Sequence, residues 1–214
     1  LMNIIQKYYS QKELKENVNM VKKVLILVMF LFCATVFGLT VRGELGNPNK
    51  ENLNSTEWRD GGPFELSPER GRFALTYSLV EDKSFYFSTD LARFVLPDLG
   101  YKNGRYVSLF APGVSFIVAP GYLLGRLFGL AQVGTFLIIS LFAVFNTLLI
   151  KSIAQRLGAS ATAATIASLV FLFATPAFAY GVTLYQHHIS TFLILSSLFI
   201  LLKWNNIKSL FVIW

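Results

Sequence analysis

Five apolar runs set the terms for this chain: Val24–Val41, the stretch 107–125, Ala131–Ile150, Ala161–Tyr180, and a last run that ends at Leu202. A helix of about 20 apolar residues matches the ~30 Å hydrocarbon core of a bilayer. Hydrophobic residues make up 54% of the chain and charged ones only 14%, whereas soluble domains carry about a quarter charged. The runs therefore predict an all-α fold, a polytopic transmembrane helical bundle. The formal net charge of +7 does not point to nucleic acid. Its basic residues are scattered between the apolar runs, where orientation in a membrane demands them. Cys33 is the only cysteine and lies inside the first run, which excludes a disulfide framework and a cysteine metal site. Phe32 before it is too bulky for a lipoprotein cleavage site.

The chain divides into four parts. Residues 1–23 read as a cytoplasmic N-terminal segment, in which 1–19 precede a natural start at Met20. Residues 24–41 form the first transmembrane helix, an anchor rather than a cleaved signal, since no small-x-small site follows. Residues 42–130 form an outer loop bearing juxtamembrane or re-entrant helices. Residues 131–214 form a transmembrane helical region that stops inside a further apolar run, as the N-terminal part of a longer protein would. Within the loop, the polar segment 42–106 holds nine basic and ten acidic side chains. Ser67 is placed as a helix N-cap with Pro68 at the first helical position. Phe73, Tyr77 and Val80 then fall on one face, as a helix lying on a membrane surface needs. A second helix start is read at Thr89–Asp90, ended by Pro97, and Asn103–Gly104 is a two-residue tight turn.

The stretch 107–125 decides the topology. If it crossed the membrane, Lys151, Arg156, Lys203 and Lys208 would lie opposite Lys22 and Lys23. If it rests in the outer leaflet, all of them share the cytoplasmic side, which basic residues of short loops prefer. Pro112 and Pro120 agree, since each removes a backbone donor that lipid cannot replace. On this reading the loop, the proline-glycine element and "YGVTLYQHH" share the outer face of a multi-pass protein of the cell (plasma) membrane.

That face offers the carboxylates Glu65, Glu69, Asp90 and Asp98 and the cations Arg70, Arg72, Arg93, Lys102 and Arg105. The bland reading is a solvated loop whose charges neutralise one another. The sharper reading is an enzyme that uses a lipid-phosphate sugar: cations hold the departing phosphate, and a carboxylate takes the proton of the attacking hydroxyl. His187 and His188 are adjacent on a helix and point about 100° apart. One is placed to bond a sugar or phosphate oxygen while the other caps the bundle. Asn146 is expected to bond a neighbouring helix, and Tyr180 and Tyr185 suit an interfacial aromatic belt. No phosphate-binding loop, dinucleotide fingerprint or zinc motif is present. The alternative is a non-enzymatic multi-pass membrane protein, such as a transporter or an assembly subunit, which would set its charges within broken spans at the midplane.

Four segments, in order, carry a resemblance: "GRFALTYSLVEDKSFYF", "NGRYVSLFAPGVSFIVAPGYLLGRLFG", "FNTLLIKSIAQRLGASATAATIASLVFLFATPAFAY" and "LYQHHISTFLIL". They resemble the N-terminal part of bacterial GT-C glycosyltransferases, relatives of protein mannosyltransferases and of the lipid A aminoarabinose transferase. Arg72–Phe73, Gly104–Arg105–Tyr106, Pro112–Gly113, Arg156–Leu157–Gly158, Thr175–Pro176 and Gln186–His187 occupy the places of that family's recurring elements. The resemblance implies transfer of a sugar from a polyprenyl-phosphate-linked donor to a glycan, lipid or protein acceptor, with an acidic catalytic residue in the first outer loop. The paired Asp-Glu common early in that loop is absent, so the pattern does not fix the base. Glu69 is the expected base, with Asp60 and Asp90 behind it. Arg70, Arg72, Lys102 and Arg105 are expected to hold the phosphate, Tyr106 belongs to the same binding group, and His187 orients the sugar. No cofactor is firmly implied; a divalent cation is compatible with the chemistry, although no ligand cluster calls for one.

Overall fold

The computed structural model describes residues 20, 23–56 and 62–203. They are mostly helical, with one small sheet. Helix α1, Lys23–Thr40, is apolar and leaves most of its surface uncovered by protein. The chain then turns extended and passes a single helical turn, α2, Lys50–Leu53, capped by Asn49, whose side chain accepts from the Asn52 N–H at 2.7 Å. Helix α3, Ser67–Tyr77, continues through a π-helical turn, Ser78–Asp82, and stops at Lys83, which adopts a left-handed conformation with φ 51°. Strand β1, Tyr86–Phe87, helix α4, Thr89–Val95, and strands β2, Leu99–Lys102, and β3, Arg105–Ser108, follow. Helix α5 is Gly113–Arg126 and α6 is Ala131–Arg156. Helices α7, Ala161–Phe173, α8, Ala177–Gly181, and α9, His187–Lys203, complete the described chain.

The sheet corrects the all-α expectation. Its strand order is β1-β3-β2, antiparallel throughout. Asn103 and Gly104 link β2 to β3 with φ 51° and 76°, the pair of positive angles that a two-residue hairpin turn requires. Four-residue strands bearing one charge each carry too weak an alternation to be read without their partners.

Two expectations for α3 also change. Leu66 is the N-cap and makes no side-chain cap bond; Ser67 is already helical, and its hydroxyl donates to Asp98 at 2.5 Å. Phe73, Tyr77 and Val80 do not face a surface. They are buried in a core shared with Phe64, Leu91, Phe94, Val118, Tyr122 and Phe136, so α3 is covered by α4 and α5 rather than laid on lipid.

Among the described residues, two helices, α1 and α6, are long and apolar enough to cross a membrane. Neither is enclosed: 17% of the α1 window and 44% of the α6 window is buried within the protein. The run 161–180 is two helices, because Pro176 lacks the N–H that would continue α7 and Pro disfavours helical geometry in the residue before it. The last helix starts at His187. Helix α5, at about 21 Å for 14 residues, is shorter than the ~30 Å hydrocarbon core.

Packing orients these helices. Gly121 and Gly125 of α5 lie against Gly134 of α6 so closely that a Cβ on any of them would collide with backbone across the interface or at the turn. Beyond α1, the Glu44 N–H donates to the buried Gln132 side chain at 2.6 Å, and the Gly46 N–H to the Gly129 carbonyl at 2.7 Å. Helix α1 therefore ends where α6 begins, and the two run antiparallel. At the other end of α6, the Arg156 guanidinium lies over the Phe199 ring of α9 at 4.7 Å. The described residues of the loop 42–130 thus gather at the start and along the first half of α6, and Arg156 and Lys203 lie toward its opposite end.

A candidate functional site where α3 meets α9

Two charged residues of α3, one turn apart, reach the strip that leads into α9. Glu69 is fully buried. One carboxylate oxygen accepts from the Leu184 N–H at 2.6 Å, the other from the Glu65 N–H at 2.6 Å. Burial raises the Glu69 carboxyl above its ordinary value, against the pull of these two donors. Arg72 donates to the Gln186 side-chain oxygen at 2.5 Å and also reaches the Pro68 and Leu184 carbonyls. Its guanidinium sits between two rings, 4.8 Å from Phe110 and 5.3 Å from Tyr185. Burial lowers its affinity for the proton from the ordinary arginine value, yet an arginine stays charged.

Helix α5 joins the site through Ser115, whose hydroxyl donates to the Arg72 carbonyl at 2.9 Å. From α8, the Ala177 carbonyl lies 2.7 Å from Nε2 of the buried His188. On the far side of that ring, Asn146 of α6 meets Nδ1 at 3.1 Å and donates to the His188 carbonyl at 2.9 Å. The two histidines divide as their angular separation requires. His188 locks α6, α8 and α9 together, while His187 is exposed beside the rings of Tyr180 and Tyr185.

The expected site residues separate under this geometry. Arg72, His187 and Glu69 lie at the junction. Glu69 differs from a base that waits for a hydroxyl: no oxygen is exposed and both hold backbone amides, so in this structure the carboxylate fastens the strip 184–186 to α3. Arg70, two positions from Arg72, points elsewhere and donates to the Leu96 carbonyl at 2.9 Å. Lys102 and Arg105 pair across the exposed β2–β3 hairpin, and Arg105 lies over the Tyr86 ring at 4.5 Å. Tyr106 packs against Tyr101 with centroids 5.2 Å apart. The four expected phosphate cations thus do not form one cradle among the described residues. Asp90 is exposed in the first turn of α4. Asp60 lies outside the described residues.

A second polar cluster escaped the sequence reading. On the π-helical turn, Glu81 accepts from the buried Tyr122 hydroxyl at 3.0 Å and pairs with Arg126 at 3.1 Å, while Asp82 pairs with Lys50 at 2.8 Å. Burial and the neighbouring Glu81 push the Tyr122 hydroxyl well above its ordinary value. The cue was "VED" at the end of α3, but its partners come from positions 50, 122 and 126. Among the described residues, no group of three or more His, Cys, Asp or Glu side chains is placed to hold a metal ion.

The fold and this junction define a mostly helical protein with two helices long and apolar enough to cross a membrane and a polar loop folded over one end of them. Comparison with protein families, with characterised proteins and with solved structures finds no match for the chain.

Proposed function

We propose that this chain belongs to a multi-pass membrane glycosyltransferase that takes a sugar from a polyprenyl-phosphate-linked donor at the outer face of the membrane. One observation carries the reading. Elements that bear the resemblance, far apart in sequence, converge at one place: Arg72 bonds Gln186 across 114 residues, Ser115 of the proline-glycine element bonds Arg72, and the helix opened by Thr175–Pro176 holds His188. A membrane setting supports it further. The antiparallel α1 and α6 leave the loop 42–130 on one side and the basic helix ends on the other, as the cytoplasmic preference of Lys and Arg requires.

In this reading Arg72 and the start of α9 supply the polar contacts to the sugar-phosphate at the lipid surface. Glu69 preorganises them. The test is sugar transfer from radiolabelled polyprenyl-phosphate donors in proteoliposomes that carry the full-length gene product. Transfer that falls at least tenfold in Arg72→Ala and is retained in Arg93→Ala is the expected result. Transport of a solute without sugar transfer would favour the non-enzymatic alternative.

A further inference from the structure

Three rings meet beside the Arg72 junction. Tyr180 and His187 have centroids 4.3 Å apart, Tyr185 and His187 5.8 Å, and Tyr180 and Tyr185 6.0 Å. The cluster faces outward: Tyr180 is 39% exposed, His187 is exposed and Tyr185 partly so. An interfacial belt would spread such rings around the molecule; here they lie together, and two polar groups are fixed at their edge. Arg72 stacks on Tyr185 and at the same time holds the side-chain oxygen of Gln186. That bond orients the Gln186 amide so that its nitrogen keeps two hydrogens for a ligand.

An electron-rich aromatic face beside directed amide donors suits one ligand chemistry in particular. A sugar ring presents an apolar face of C–H groups, whose slight positive charge matches the negative π-face. Its hydroxyl oxygens accept hydrogen bonds at the rim. We propose that Tyr180, Tyr185 and His187 form a stacking platform for a sugar ring, with the Gln186 amide nitrogen as donor and Arg72 as the residue that positions both. The proposal deepens the transferase reading and rests on it, because it names the part of the donor this junction recognises.

The experiment titrates the protein in nanodiscs with farnesyl phosphate and with farnesyl phosphates carrying glucose, mannose or arabinose. At least one sugar-bearing probe binds about tenfold more tightly than the bare phosphate. Tyr180→Ala, on an exposed ring, removes most of that preference and leaves the affinity for bare farnesyl phosphate within about twofold; Tyr185→Ala also removes the preference, whereas Tyr185→Phe retains it. Arg72→Lys also lowers the preference, because an ammonium neither stacks as a plane nor fixes the amide in the same way. A preference unchanged in the Tyr180→Ala, Tyr185→Ala double variant overturns the platform. So does a result in which no sugar-bearing probe binds better than the bare phosphate, which leaves the transferase reading standing. Failure of every farnesyl phosphate to bind removes both.

Discussion

Glu69 shows how much a side chain's surroundings decide its role. A carboxylate in a polar loop reads as a proton acceptor, but enclosed between the Glu65 and Leu184 amides it becomes a fastening. Glu69→Ala leaves two donors without their acceptor and is expected to cost about 2–5 kcal/mol, measured by thermal unfolding in detergent and seen as faster hydrogen exchange at the Leu184 amide. The pH dependence has a definite sign. Because burial raises this carboxyl above its ordinary value of 4.5, the folded state holds the proton more firmly than the unfolded one. The stabilisation from that proton is complete below the unfolded value and fades as pH rises through the folded value. The melting temperature of the wild type therefore declines relative to Glu69→Gln as pH is raised from about 4 toward 8, and a gap that widened in the other direction would contradict the assignment. His187 and His188 show the limit of residue-scale reading. Their angular separation predicted two different fates, but only the position of Asn146 and Ala177 decided which histidine is locked inside.

At the scale of elements, the helices that formed where expected are those whose signals are local. Thr89–Asp90 opens α4, with Ser88 as its cap accepting from the Leu91 N–H at 3.3 Å. Asn103–Gly104 turns the hairpin. The apolar run 161–180 misled because hydrophobicity is continuous through Pro176 while the backbone ladder is not. Helix α5 depends on close approach to α6 rather than on its own propensity, since it contains Pro120. Gly134→Val places a side chain against the Gly121 backbone, where neither helix can yield. Its cost is expected at or above the upper end of the roughly 1–3 kcal/mol typical of overpacking, read from the loss of cooperative unfolding. Gly104, which meets nothing within 4 Å but holds φ 76°, is a milder site: Gly104→Ala is expected to cost about 1 kcal/mol.

For the whole molecule, the antiparallel arrangement of α1 and α6 makes a directional prediction. In a Cys33→Ala background, cysteines at Lys102 and His187, both exposed beside the loop, are labelled by an impermeant maleimide from outside intact cells. A cysteine at Leu157, 69% exposed in the turn after α6, is labelled only after the membrane is opened. External labelling of the Leu157 position would reverse α6 and carry the loop and the start of α9, joined through Glu69 and Arg72, to the cytoplasmic side, against the proposed reading.

The helical bulk, the positions of the apolar runs and the distribution of basic residues around them were legible in the amino-acid order alone. Hydrophobicity and turn chemistry act over a few residues and are written locally. Which charges meet was settled by packing between distant elements. Glu69 finds Leu184 and Arg72 finds Gln186 across 115 and 114 residues, and no periodicity or cap records a partner at that distance. Those pairings arise because α5, α6 and α8 bring α3 to the mouth of α9, where buried polar groups must find partners or carry the cost of desolvation.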